Sequence, residues 1–106
     1  MASFLVQFSY TEQGVKGLLK EGGSKRREAT EQLVKSLGGK LVAYYFSFGE
    51  YDGIAIVEGL ENADAAAANL LVGASGAAKT KTTVLLTPEE VDRATRKNGT
   101  FRAPGQ

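Results

Sequence analysis

The chain has no cysteine, no histidine and no tryptophan among its 106 residues, and only one methionine and two prolines. Without cysteine there are no thiol nucleophiles, no disulfides and no thiolate metal sites. Without histidine the usual general base at neutral pH and the commonest metal ligand are gone. Neither a metal nor a cofactor is therefore expected. Charge of either sign is not in excess: Lys and Arg number 13 against 12 Asp and Glu, a net charge of +1. No bulk field draws such a chain to nucleic acid or to a membrane surface. Long hydrophobic runs are also missing. The opening MASFLVQFSY has no basic leader followed by an apolar stretch, so neither a signal peptide nor a membrane span is expected, and the expected location is cytoplasmic.

What is present centres on Lys40–Glu58, KLVAYYFSFGEYDGIAIVE. Two runs rich in β-branched and aromatic residues flank Gly49-Glu50. A two-residue loop with glycine first fits a type II′ turn, because glycine accepts positive φ. Phe48 then lies opposite Tyr51, Phe46 opposite Gly53 and Tyr44 opposite Ala55. The other face carries Leu41, Ala43, Tyr45, Ile54 and Ile56. Both faces are substantially apolar, whereas a sheet with one face in water alternates apolar with polar. Helices of the same chain can cover one face; the second requires another cover.

Around this hairpin the chain reads as one domain over residues 1–96 with a flexible tail over 97–106. Ala2–Tyr10 alternates Phe4, Val6, Phe8 and Tyr10 against polar residues and predicts a strand. Thr11 opens a polar stretch weakened by Gly14 and Gly17, expected as a short or irregular turn. Ser24–Leu37 predicts a helix with Ser24 as its N-cap and Gly38-Gly39 as its stop. Glu61–Ser75 is an alanine-rich helix, and Lys79–Thr87 a fourth strand. Thr87-Pro88-Glu89-Glu90 starts a short helix with a capping box. The order strand, helix, strand, strand, helix, strand makes the fold class α+β, a ferredoxin-like βαββαβ sandwich.

Gly49-Glu50-Tyr51-Asp52, within GEYDGIAIVE, resembles the Gly-x-Tyr-Asp signature of the GYD domain family. FSYTEQG at Phe8–Gly14, LGGKLVAYYFSFGEYD at Leu37–Asp52 and KTTVLLTPEE are similar to the family in the same order. The resemblance runs from about Ser3 to Val91. It implies a sheet-to-sheet dimeric α+β barrel, and hence a homodimer or higher homo-oligomer as the first partner. The family is largely uncharacterised, so the resemblance implies no particular reaction.

Four groups of residues carry candidate chemistry. Asp52 and Tyr51 offer a carboxylate base and a phenolic donor; the alternative is that Tyr51 packs across the turn and Asp52 holds backbone N–H groups. With Tyr45, Ser47 and Glu50 they form a candidate ligand-binding end of the hairpin, where Gly53 leaves room for a close approach. Tyr10, Tyr44 and Tyr45 either line a pocket or serve as core residues. Gly22-Gly23-Ser24-Lys25-Arg26-Arg27 puts positive charge at a helix N-terminus, against the macrodipole, as an anion site or a solvated first turn. Arg93, Arg96, Lys97, Phe101 and Arg102 lack any nucleic-acid-binding pattern. Two functions follow: a small-ligand-binding or interaction protein, or a cofactor-free enzyme acting on a small apolar or aromatic compound through Asp52 and tyrosine hydroxyls.

Overall fold

The structure, a computed structural model, describes residues 2–106; Met1 lies outside the described residues. The elements are β1 (Ala2–Tyr10), α1 (Glu12–Glu21), α2 (Gly23–Ser36), β2 (Lys40–Phe46), β3 (Gly53–Leu60), α3 (Asn62–Ala74), β4 (Ala78–Leu85) and α4 (Pro88–Thr95). The strands form one antiparallel sheet in the order β2-β3-β1-β4. This is the expected α+β, ferredoxin-like architecture.

The alternation in β1 sets the two faces. Phe4 and Phe8 are buried, and with Leu41, Ala55, Val57 and Leu60 they lie under Val34 of α2 and Ala65 of α3. The same face carries Val6, Tyr10, Tyr44, Thr80 and Thr82, which meet the helices around a cavity. Leu5, Ile54, Ile56, Tyr45 and Leu85 point the other way, as the strand register requires. Among the described residues no helix covers that second face: α2 and α3 pack on the first, α1 packs on α2 and β1, and α4 has no buried residue and no substantial packing against another element.

Several local expectations are corrected. The polar stretch after Thr11 is a regular ten-residue helix, α1, capped by the Thr11 side chain, which accepts from the Gly14 N–H. Gly14 suits a close approach, since a Cβ there would strike the Ala77 carbonyl and the Tyr10 ring. Because α1 runs up to Glu21, α2 starts one residue before Ser24. Gly22 is its N-cap, and Ser24 lies inside the helix. Two of the three expected hairpin pairs form, Phe46 opposite Gly53 and Tyr44 opposite Ala55, whereas Phe48 and Tyr51 lie outside the strands and do not pair. The hairpin loop is longer than two residues: β2 ends at Phe46, and the Ser47 N–H donates to the Asp52 carbonyl at 2.8 Å across Ser47–Asp52. Leu41 lies on the helix-covered face, opposite Val57, because the register shifts between Leu41 and Ala43. One extra residue in a strand reverses the side to which its neighbours point. The α4 capping box forms as expected, with Thr87 and Glu90 each bonding the other's backbone N–H.

Candidate functional site

The hairpin end brings Ser47, Glu50, Tyr51 and Asp52 into one loop. Ser47 Oγ donates to the Tyr51 carbonyl at 2.9 Å, and Ser9 Oγ donates to the Glu50 carbonyl at 3.1 Å. Asp52 is fastened to β1 at both ends: its N–H donates to the Phe8 carbonyl at 2.8 Å, and its Oδ2 accepts from the Tyr10 N–H at 2.7 Å. A charge-assisted bond of that length continues the β1–β3 pairing past the last strand residue. Asp52 Oδ1 has no protein partner among the described residues. Tyr51 and Asp52 are half-buried, Ser47 and Glu50 exposed, and Phe48 fully exposed. Tyr45 is 66% exposed, on the uncovered face of the sheet. The room expected at Gly53 is taken by the Phe8 ring, which a Cβ there would penetrate.

A second concave region lies inside the domain. Between the sheet and helices α2 and α3 is a cavity of about 100 Å³. Its sheet side is built from Val6, Phe8, Tyr44, Ala55 and Val57, and its helix side from Leu33, Val34, Ala65, Ala68 and Val72. The space exists because small residues meet there: the alanine run of α3 sits over Ala55 and Ala78. Aromatic rings wall one end. Tyr44 stacks on Phe8 with centroids 5.5 Å apart, and Tyr10 and Phe46 meet Phe8 edge-on at 5.5 and 6.3 Å.

Polar groups sit at two places on the cavity wall. Arg26 and Thr30 of α2 stand near Tyr10 and Tyr44. Burial pushes the Tyr44 phenol far above its ordinary value, and neighbouring Tyr10 pushes it the same way, while Thr30 and the Arg26 charge oppose. Tyr44 is thus a neutral phenol at any physiological pH. Burial works against the Arg26 charge, but Glu21 and Tyr10 outweigh it and raise its pKa. Arg26 Nη1 pairs with Glu21 Oε2 at 3.3 Å, its one ion pair among the described residues. Elsewhere on the wall, the Thr80 and Thr82 hydroxyls each lie 3.0 Å from the same atom of the Asn69 carboxamide. The other polar atom of that carboxamide has no protein partner among the described residues.

Of the three tyrosines singled out in the sequence, Tyr10 and Tyr44 line this cavity and Tyr45 does not. Tyr45, Ser47, Glu50, Tyr51 and Asp52 are not among its lining residues. Sequence reasoning passed over Thr30, Asn69, Thr80 and Thr82, and considered Arg26 only as part of a helix N-terminus. One signal was available: Arg26, Thr30 and Leu33-Val34 recur at helical spacing, which puts a cation and a hydroxyl on the buried stripe of α2. Among the described residues no cluster of carboxylates could hold a metal ion, and no helix is long and apolar enough to cross a membrane.

One curated relative, from Thermus thermophilus, is 32% identical over 82 residues, covering 77% of this chain and 85% of the relative. It is named a glutamine synthetase and cystathionine beta-lyase binding protein. No solved structure matches. The GYD domain matches residues 4–95, from the first strand to the end of α4 and including the whole Gly49–Asp52 loop, and the chain belongs to that family.

Proposed function

We propose that this chain is an interaction protein that pairs with a second copy through the uncovered face of its sheet, as a dimeric α+β barrel, and docks an enzyme partner on its outer surface. The observation that carries the reading is the uncovered face itself. Leu5, Ile54, Ile56 and Leu85, each half-buried by its sheet neighbours, form an apolar surface that no helix among the described residues covers. An apolar sheet face of this kind marks an interaction surface.

The similarity to a relative named for binding glutamine synthetase and cystathionine beta-lyase supports enzymes of that kind as the outer partners, and a cytoplasmic location goes with them. Once the sheet face is occupied, Leu19 of α1 (82% exposed) and Leu70 of α3 (73% exposed) remain as large apolar side chains on the helical side. The test is to immobilise the purified chain and pass the host's own glutamine synthetase and cystathionine beta-lyase over it. Saturable binding to either, weakened by Leu70→Glu, is expected. Absence of binding to both, with a dimer intact, would remove the enzyme partners and leave the dimer.

A second reading places a small-molecule site at the hairpin end, with Tyr51 and Asp52 as acid–base groups beside Tyr45, Ser47 and Glu50. The observation favouring it is that Asp52 keeps Oδ1 free. Opposing it is the bond from the Tyr10 N–H to Oδ2, which ties the carboxylate to the fold.

A further inference from the structure

We propose that the interior cavity between the sheet and helices α2 and α3 binds a small carboxylate with a compact apolar body, its charged end at Arg26 and its body among Phe8, Tyr44, Val72 and Ala68. The size and lining of the space set the body of the ligand. An engineered apolar cavity of about 150 Å³ admits benzene, so about 100 Å³ takes a body no larger than a six-membered ring or a short branched chain. The wall is aliphatic and aromatic, which disfavours a polar body that would lose its water without replacement.

The charged end follows from the donors. Three hydrogen-bond donor groups gather near one another: the Arg26 guanidinium and the hydroxyls of Tyr10 and Tyr44. A guanidinium presents five N–H groups in a planar fork that matches a carboxylate. Glu21 engages only Nη1, at 3.3 Å, and its side chain is 44% exposed. It can share the guanidinium with a second carboxylate or yield it to one. The Tyr44 phenol, held neutral by burial, donates to an anion without repelling it. An amine would meet the Arg26 charge, and a neutral body of the same shape would leave the guanidinium with no new partner.

The test uses benzoate and hexanoate as probes, with benzyl alcohol as the neutral partner of benzoate, by calorimetry on the intact chain. Benzoate or hexanoate should bind in the millimolar range or tighter, and benzyl alcohol at least about tenfold more weakly than benzoate, as loss of a charge-assisted bond requires. Arg26→Gln should reduce the carboxylates to the level of the alcohol. Tyr44→Phe, which keeps the ring, should weaken them severalfold and serves if Arg26→Gln does not fold. Ala68→Leu, which fills the space from the helix side, should abolish binding of all three probes. The proposal is overturned if neither carboxylate binds at millimolar concentration, if benzyl alcohol binds as well as benzoate, if Arg26→Gln and Tyr44→Phe bind like wild type, or if binding survives Ala68→Leu.

Discussion

Ile56→Asp, near the middle of the uncovered face, should convert the proposed dimer to a monomer without unfolding the chain. A folded monomer of 11.2 kDa exposes about 5,700 Å² by the usual scaling of surface with mass. This chain exposes 7636 Å², an excess of about 1,900 Å². Two copies would hide about 3,800 Å² if they buried all of it, within the ~2,000–5,000 Å² of obligate homodimers. Part of the excess belongs to α4 and the tail, which stretch the molecule to a radius of gyration of 16.9 Å where about 13 Å is usual for this length. Ile56 sits on a strand with a neighbour on each side. Replacing it by aspartate forfeits only part of the ~1.5–3 kcal/mol of full apolar burial, because the side chain is already half-buried in its own sheet, and adds ~1–3 kcal/mol for a polar group buried without a partner. Each dimer carries the change twice, so the loss is at least about 3 kcal/mol, or about two decades in Kd. Within the monomer the half-buried side chain costs the fold about 1–2 kcal/mol as well, less than the stability of a typical domain. Sedimentation velocity should show wild type at about twice 11.2 kDa and Ile56→Asp at 11.2 kDa, with unchanged far-UV circular dichroism. A wild-type monomer at micromolar concentration, or an Ile56→Asp dimer of wild-type affinity, would refute the reasoning.

Gly53→Ala should lower the melting temperature by several degrees or more, because its Cβ would penetrate the Phe8 ring in a packed core, and overpacking costs about 1–3 kcal/mol; thermal denaturation reads it. Asp52→Asn should destabilise by about 1–3 kcal/mol through the weakened bond to the Tyr10 N–H, whereas Tyr51→Phe should melt like wild type; denaturant titration separates them, and loss of a bound small molecule in both without loss of stability would revive the hairpin-end site. Gly49, at φ 112 with open space around it, should tolerate the bulk of valine but not its backbone preference, so Gly49→Val should cost about 1–3 kcal/mol while the chain still assembles. Truncation after Arg96 should leave the melting temperature nearly unchanged, since residues 97–106 are exposed and form no helix or strand; a drop of many degrees would mean that Phe101 docks on a second copy.

What could be read from the sequence was what short-range chemistry decides. Thr87-Pro88-Glu89-Glu90 carries its helix start within four residues, and the structure forms it. The hairpin register was legible because Phe46 and Gly53, or Tyr44 and Ala55, pair in only one way once a turn centre is chosen. What failed depends on distant parts of the chain. The start of α2 was misplaced because a good N-cap at Ser24 loses to Gly22, whose φ of 86° already turns the chain out of α1. The bulge after Leu41 exists only in relation to β3, so no pattern in β2 alone announces it. The cavity is least legible of all. Tyr10, Arg26, Tyr44 and Asn69 come from β1, α2, β2 and α3, and only the sheet order and helix placement make them neighbours.

The two faces of the sheet share a backbone, and this decides where each should be perturbed. Tyr44 lines the cavity while Tyr45, the next residue, lies on the face assigned to the second copy. Ala55 floors the cavity between Ile54 and Ile56 of the opposite face. A larger residue at Ala55 would push on a packed strand, and packed strands transmit displacement rather than absorb it. The dimer face would then change along with the cavity. Ala68 is different. It belongs to α3, which packs on β3 and β4 from the helix side and never reaches the uncovered face. Filling the cavity from Ala68 should therefore remove the proposed internal site and leave the proposed contact between copies as it was. If Ala68→Leu also weakened the dimer, occupancy of the cavity would be coupled through the sheet to assembly, and a small carboxylate bound inside would then alter the affinity between copies by the same factor as dimerisation alters its own binding.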